Sequence, residues 1–294
     1  MRKVIRIGTR GSKLALIQTE MVIEELKKKY PDWEMERVII STKGDQMLNK
    51  PLTDFLGKGV FITEFEEALL AGQIDLAVHS SKDMPMELAE GLVIAGVLPR
   101  ADARDVLVTK KGLLEAEKLL DITVGTGSVR RRFQLKKLYP DINCVSIRGN
   151  VPTRLQKIRD GEVDGALLAA AGLSRLGMLK EAEFDYQFFS YEEMLPAGGQ
   201  GIIAIEGREG DEIARLARAV SDEKTYYELE TERSIMKQME AGCHGPIGII
   251  SWIENGEISV QVIREKNGIF QKQEGSAPVS QRLELARELV SRLE

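Results

Sequence analysis

Two turns of similar make-up, Gly8-Thr9-Arg10-Gly11-Ser12 and Gly125-Thr126-Gly127-Ser128, each follow an apolar run and open a helical pattern. Backbone N–H groups at a helix N-terminus, helped by the macrodipole, favour an anion. A Ser that only caps its helix is the alternative reading of either turn alone. Arginine density tips the balance. Arg10 lies inside the first turn, and Arg130, Arg131 and Arg132 follow the second. From Thr123 to Gly177 ten basic residues (adding Lys136, Lys137, Arg148, Arg154, Lys157, Arg159 and Arg175) face four acidic ones. That segment carries +6 inside a chain of net −5, so the remainder is −11. Lys136, Lys137, Lys157 and Arg159 read as a solvated helix face. The arginines at strand ends and helix starts can converge, and the expected ligand is a polycarboxylate or a phosphate.

A third cluster, Val78-His79-Ser80-Ser81-Lys82-Asp83-Met84-Pro85, runs from a buried strand into a polar loop. The carboxyl end of such a strand is the favoured place for an active site in an α/β sheet, although a plain surface loop also fits. On extended backbone the adjacent Lys82 and Asp83 point to opposite sides. His79 closes an apolar run and reads as a hydrogen-bonded structural histidine rather than a general base. Cys144 alternates like a core residue and reads as an inert buried thiol. Cys243, with Gly242 before it and His244-Gly245-Pro246 after it, sits in a tight loop where a thiol is reactive or modified.

Other classes of protein are excluded by composition. The chain has 294 residues, 43% hydrophobic and 30% charged, enough for two or three domains with real cores. No apolar run approaches the roughly 18 residues that span a bilayer. The first eight residues pass from charge into strand-like alternation without a signal-peptide core. Two Cys and two His make neither a disulfide framework nor a convincing zinc site. Mild acidity argues against a general nucleic-acid binder. A cytoplasmic, metal-independent protein is expected.

Alternating strand and helix signals then place the candidates. Strands are expected at Val4–Ile7, Arg37–Ser41, Ile74–His79 and Ile122–Val124, and helices from Leu16 to near Lys29 and over Ile62–Ala71. The segment Gly72-Gln73-Ile74-Asp75-Leu76-Ala77-Val78 is echoed by Gly161-Glu162-Val163-Asp164-Gly165-Ala166-Leu167, in the same order relative to the Gly-Thr turns. Chance similarity between short α/β turns is one reading of the echo; two similar α/β domains with a ligand cleft at their strand ends is the other, and the expected one. Beyond a charged helix around Asp222–Glu240, three short strands are joined at Asn255-Gly256 and Asn267-Gly268, strong hairpin signals, before a last helix over Ser280–Leu293. Expected divisions are 1–99 with 200–219, 100–199, and a small α+β domain over 220–294.

Taken together, the motifs resemble the porphobilinogen deaminase (hydroxymethylbilane synthase) family. The matching pieces are the Thr9–Leu16 segment, Gly57-Lys58-Gly59-Val60-Phe61, Asp75–Pro85, Gly125–Arg131, Arg148–Arg154, Ala171–Gly177, Gly199-Gln200-Gly201 and Gly242–Gly248. The resemblance implies two periplasmic-binding-protein-like α/β domains around a cleft, plus a small C-terminal domain with a three-stranded antiparallel sheet. It implies a transferase that joins four porphobilinogen molecules head-to-tail with release of ammonia, giving hydroxymethylbilane for haem and other tetrapyrroles. The implied cofactor is a dipyrromethane held by a thioether to Cys243. Asp83 matches the catalytic aspartate. Lys82, Thr126, Ser128, Arg130 and Arg131 match positions holding the cofactor. Arg10, Ser12, Lys58, Phe61, Arg148, Arg154, Arg175 and Gln200 match positions that meet substrate and growing chain. A monomer with porphobilinogen as its partner, and neither nucleic acid nor membrane, is implied as well.

Several positions depart from the family pattern. Asp54 stands where many members carry lysine, Ser81 where an apolar residue is usual, and Gly127 where serine is common. Gly245 replaces valine before Pro246, and Ile202 is bulkier than the usual residue after Gly201. None of these removes a group with a direct chemical role. Two other readings fit parts of the chain: a clamshell solute-binding protein, and a catalytically impaired family member.

Overall fold

The computed structural model describes residues 4–42, 62–114, 122–239 and 246–293. The chain divides into two units, residues 1–101 with 202–230, and residues 102–201 with 231–294.

The first unit is built on a five-stranded sheet ordered β2-β1-β3-β10-β4. Its strands are β1 (Val4–Thr9), β2 (Glu34–Ile39), β3 (Leu76–Ser80), β4 (Leu92–Val97) and β10 (Ile203–Arg208). β1 runs parallel to β2 and to β3, whereas β10 is antiparallel to both β3 and β4. Helices α1 (Lys13–Lys29) and α6 (Glu212–Ala219) cover one face through Val22, Ile23, Leu26, Ala214 and Ala217 against Ile5, Ile7, Val78 and Ile205. Helix α2 (Thr63–Leu70) covers the other with Phe65 and Leu69 on Ile74, Ala77 and Leu92. Both faces are covered, which is why Leu76, Ala77 and Val78 of β3 are apolar in succession rather than alternating.

The second unit repeats this design. Its sheet is ordered β7-β6-β8-β5-β9, with β5 (Asp105–Lys110), β6 (Thr123–Gly125), β7 (Asn143–Val145), β8 (Gly165–Ala169) and β9 (Phe184–Phe188). β6 is parallel to β7 and β8, and β5 is the antiparallel member. Helices α4 (Val151–Arg159) and α5 (Ala170–Arg175) pack Leu155, Ile158 and Leu173 on Val106 and Val108. On the opposite face Leu107 meets Val124 and Leu135, the last from α3 (Val129–Leu138). The antiparallel strand in each sheet is the one that follows the chain's crossing from the other unit: β5 in the second, β10 in the first.

The expected echo is present down to single atoms. Gly72 and Gly161 both take positive φ, 67° and 77°, to end a helix and turn into the next strand. Asp75 N donates to Arg6 O (2.8 Å), and its Oδ2 accepts from Arg6 N (2.9 Å). Asp164 N donates to Thr123 O (3.0 Å), and its Oδ2 accepts from Thr123 N (2.8 Å). In both copies the aspartate pins the central strand to the first.

After helix α7 (Glu223–Gln238), β11 (Ile247–Glu254), β12 (Glu257–Lys266) and β13 (Ile269–Pro278) form an antiparallel sheet. Its strands run eight to ten residues and are long rather than short. Asn255 and Asn267 adopt φ of 51° and 56° before glycine, as the Asn-Gly hairpins require. Val260 pairs with Gly275, and a Cβ on Gly275 would stand 2.9 Å from Leu285 Cδ1, so helix α8 (Arg282–Ser291) lies close on this face. On the other face Ile250 and Ile263 pack with Ala103 and Leu195, which fastens this sheet to the rest of the second unit.

One strand is displaced from expectation. β2 covers Glu34–Ile39 rather than Arg37–Ser41. It is an edge strand, and its bounds follow the backbone ladder to β1 (Val4 against Glu34, Thr9 against Ile39) rather than its own side-chain pattern.

Candidate active site

In the first unit the candidate residues sit at the carboxyl ends of the neighbouring parallel strands β1 and β3. Ser12 caps α1, its Oγ accepting from Ala15 N at 3.3 Å, and Arg10 beside it is half-buried. The turn is braced from beneath. Thr19 Oγ1 donates to the buried Thr9 Oγ1 at 2.7 Å, and Gln18 Nε2 donates to Ser80 Oγ at 2.9 Å. Gln18 thereby ties α1 to the end of β3, a link between residues 62 apart that periodicity does not announce.

Beyond β3 the chain does not stay extended. Ser81–Asp83 forms one 3-10 turn, closed by Met84 N donating to Ser81 O at 3.1 Å. Successive side chains on such a turn are about a third of a revolution apart. Lys82 and Asp83 therefore do not point to opposite sides, as extended backbone would have made them. Asp83 is exposed and Lys82 half-buried. Ser81 is 2% exposed, and its Oγ has no hydrogen-bond partner. His79 is buried, its Nε2 2.9 Å from Glu206 Oε2 and its ring edge-on to Phe65 at 5.1 Å. This is the structural histidine that the sequence suggested.

In the second unit the Gly-Thr turn is held by its own side chains. Thr126 N donates to Val145 O (2.8 Å), Thr126 Oγ1 accepts from Ser128 N (3.1 Å), and Ser128 Oγ accepts from Arg131 N (3.4 Å). Behind it lies a carboxylate absent from the sequence-based candidates. Asp105 is 0% exposed at the start of β5. It accepts from Arg130 Nη1 (2.6 Å), Arg131 Nε (2.9 Å) and Gln200 Nε2 (2.9 Å). Burial alone would raise the Asp105 carboxyl; the charges and hydrogen bonds of both arginines and Gln200 outweigh this and hold it far below the ordinary range. The Arg130 guanidinium is lowered, chiefly by its own burial.

The other arginines differ in what they meet. Lys157 is paired with Glu162, and Arg159 with Glu181 and Glu183, on the solvated face expected of them. Lys136 and Lys137 are exposed. Arg154 Nε donates to Gly149 O at 2.8 Å. Arg148, half-buried, has no carboxylate partner among the described residues. Arg175 donates from Nη2 to Gly201 O at 2.7 Å, and its buried Nε has no partner. Burial pushes its guanidinium down to about 10. A cation that pays desolvation without a counter-charge is set up for an anionic ligand. Arg175, Gly201, Gln200, Asp105, Arg130 and Arg131 form one connected run of contacts.

Glu232 supports that run. It is buried on α7, takes Gly199 N on Oε2 (2.7 Å), and takes Ser251 N on Oε1 (2.8 Å). Cys144 is half-buried rather than fully enclosed, and burial raises its thiol. Lys58, Phe61 and Cys243 lie outside the described residues, as do Asp54 and Gly245. Among the described residues no group of three or more acidic, His or Cys side chains could hold a metal ion, and no helix is long and apolar enough to cross a membrane.

Two family models match the chain. Residues 5–215 match "Porphobilinogen deaminase, dipyromethane cofactor binding domain", and residues 226–293 match "Porphobilinogen deaminase, C-terminal domain". The porphobilinogen deaminase of Syntrophus aciditrophicus is 42% identical over 296 residues, covering 98% of this chain and 94% of that one. That of Lachnospira eligens is 44% identical over 262 residues, 88% of each. The probable porphobilinogen deaminase of Archaeoglobus fulgidus is 45% identical over 243 residues, 83% of this chain and 82% of its own.

Proposed function

This chain belongs to the porphobilinogen deaminase family, a family of transferases that work on a dipyrromethane cofactor, and we propose how its own residues run that chemistry. The reaction condenses four porphobilinogen molecules head-to-tail, with loss of ammonia, to give hydroxymethylbilane. Family membership favours this over a clamshell solute-binding role.

Each porphobilinogen ring carries two carboxylates, so a growing chain needs many fixed cations. Arginine's fork suits a carboxylate and stays charged. At an effective dielectric near 20, one close charge pair is worth roughly 4 kcal/mol before desolvation. The donor set fits such a growing chain on its cofactor: among the described residues Arg130 has Nε and Nη2 unengaged, Arg175 is half-buried with an orphaned Nε, and Arg148 has no carboxylate partner. When bound, the dipyrromethane supplies the pyrrole carbon to which the first substrate ring is joined.

Cys243 anchors the cofactor, and Lys82, Thr126, Ser128 and Arg130 hold its carboxylates; Arg131, matched to the same role by the family pattern, instead has Nε, Nη1 and Nη2 turned to Asp105 and Leu167 and stands behind them. Arg10, Ser12, Lys58, Arg148, Arg154 and Arg175 receive the acetate and propionate groups of substrate and product chain, and Phe61 packs beside the incoming ring. Gln200, matched to the same role by the family pattern, instead gives both Nε2 hydrogens to Asp105 and Ala103 and braces that carboxylate. Asp83 is the catalytic residue. Its carboxylate is exposed at the end of β3. It accepts from pyrrole N–H and stabilises the positive charge left on the substrate ring when ammonia departs, where that charge forms. The protein is read as a cytoplasmic monomer, working without metal and without a nucleic-acid or membrane partner.

The observation that carries the site reading is the half-buried Arg175, whose buried Nε has no partner and which has no carboxylate partner among the described residues. Intact mass spectrometry tests the whole. Purified chain from a porphobilinogen-producing host is expected to carry a covalent two-ring adduct that is lost in Cys243→Ser. A bare chain mass would overturn the anchor, and failure to release ammonia from porphobilinogen would overturn the activity.

A further inference from the structure

Arg130 and Arg131 are neighbours of the same type, yet the structure uses them differently. All three guanidinium nitrogens of Arg131 are turned to the protein. Nε and Nη2 lie 2.9 and 2.8 Å from Asp105 Oδ1, and Nη1 donates to Leu167 O at 2.9 Å. Arg130 spends only Nη1, donating to Asp105 Oδ2 and to Leu195 O, both at 2.6 Å. Its Nε and Nη2 make no hydrogen bond to any described residue. Those two N–H groups form the side-on edge that grips a carboxylate bidentately. Asp105 is fully buried, Arg130 4% and Arg131 6% exposed, so all three groups are held by packing as well as by charge.

We infer that Asp105 is a positioning residue for cofactor attachment. It fixes Arg131 as an internal strut and, through Oδ2, holds Arg130 with its side-on edge open for a dipyrromethane carboxylate. Gln200, donating to Asp105 Oδ1 and to Ala103 O (2.7 Å), locks the carboxylate in turn. This rests on the reading that Arg130 binds the cofactor. Charge alone predicts the opposite result. Neutralising Asp105 leaves a more positive pocket, which would draw a carboxylate more strongly; only positioning makes its loss harmful.

The test is reconstitution of the cofactor-free full chain with porphobilinogen, followed by intact mass as the rate of adduct formation per folded molecule. Asp105→Asn, Arg130→Gln, their combination, and Arg131→Lys are compared with the unsubstituted protein. Asp105→Asn and Arg130→Gln are each expected to slow attachment by about 30-fold or more, since a misplacement near 1 Å can cost about 100-fold. The double variant is expected to be no slower than Arg130→Gln alone, because both changes remove one device. Arg131→Lys is expected to slow attachment by less than about 5-fold while lowering the melting temperature. A folded Asp105→Asn that attaches cofactor within about twofold of the parent, or faster, overturns the inference while slow Arg130→Gln keeps the underlying reading. Arg130→Gln at parental rate overturns both. Should Asp105→Asn not fold, Gln200→Met removes only the lock on Asp105. Slowing by about threefold or more supports the inference, and an unchanged rate overturns it.

Discussion

His79 Nε2 and Glu206 Oε2 stand 2.9 Å apart inside the first unit, with His79 7% and Glu206 0% exposed. The pair sits on the adjacent inner strands β3 and β10, and His79 lies three residues before Lys82. A general base needs access to substrate, and this imidazole is instead spent on a buried carboxylate and the edge of Phe65. Replacing Glu206 by Leu is expected to destabilise the protein by about 3 kcal/mol, as for other broken buried pairs, in a urea melt. His79→Gln is expected to lower stability while the pH profile of turnover by the folded enzyme keeps its shape. A profile that loses a limb would make His79 a proton carrier.

Asp83 carries the opposite expectation. It is exposed and lies on a short 3-10 turn outside the core. Asp83→Ala is therefore expected to leave the melting temperature within about 2 °C of the parent, as surface substitutions usually do. Ammonia release should fall by about 100-fold or more, the scale of losing one charge-stabilising group. Parallel losses of folding and activity would mean that Asp83 is structural.

Arg175 couples stability to ligand binding. Its cation is half-buried without a carboxylate among the described residues, and that burial lowers the guanidinium to about 10. A base whose folded pKa is depressed destabilises the fold while charged, and that cost is relieved as pH rises through about 10 toward its ordinary value. Substrate carboxylates need the charged form, so affinity should fall over the same rise in pH. Arg175→Met is expected to raise the melting temperature of cofactor-free protein and to raise KM for porphobilinogen by about 10-fold or more. An unchanged KM would remove Arg175 from the binding set.

Ser81 is a smaller case with a clear sign. Its hydroxyl is buried and unpartnered at the entry to the 3-10 turn, where family members usually place an apolar side chain. Ser81→Ala removes the unsatisfied oxygen without adding volume and is expected to stabilise the protein by about 1 kcal/mol in a denaturant melt. A loss of stability would show that the hydroxyl has a partner after all.

What could be read from the sequence was local. The Gly-Thr turns, the Asn-Gly hairpins and the repeated Gly-x-x-Asp pattern are short-range devices whose backbone demands show in residue type. Asp105 was invisible for the converse reason. A lone acid at the start of an apolar strand reads as a strand end, and its partners lie 25, 26 and 95 residues away. Glu232 was concealed by company: among the many charges of α7, nothing in a single sequence separates the glutamate that reaches Gly199 and Ser251 from those that face water. Lys82 and Asp83 were misplaced because the strand pattern continues to Ser80, whereas the turn after it is set by the Met84-to-Ser81 hydrogen bond.

The two echoed aspartates separate charge from backbone pairing. Asp75 and Asp164 make the same two backbone hydrogen bonds, but only Asp75 also meets arginines, Arg6 at 2.8 Å and Arg208 at 3.3 Å. Burial would raise the Asp75 carboxyl; the side-chain and backbone hydrogen bonds from Arg6, its charge and Arg208 outweigh that and hold it below the ordinary value. A carboxyl depressed in the folded state adds stability above its unfolded pKa and loses it as pH falls through the folded one. Asp75→Asn keeps the shape and a carbonyl to accept Arg6 N, so it removes the charge together with the second oxygen that Arg6 Nη2 and Arg208 Nη2 use. It is expected to cost about 1 kcal/mol at pH 7, the half-exposed Arg6 being screened by solvent. That difference should shrink as pH falls below about 4, and vanish once the parental Asp75 is itself protonated. Urea melts of parent and variant at several pH values measure it directly. A gap that stays constant from pH 7 into the acid range would show that the arginines contribute nothing and that the aspartate acts through its backbone bonds alone.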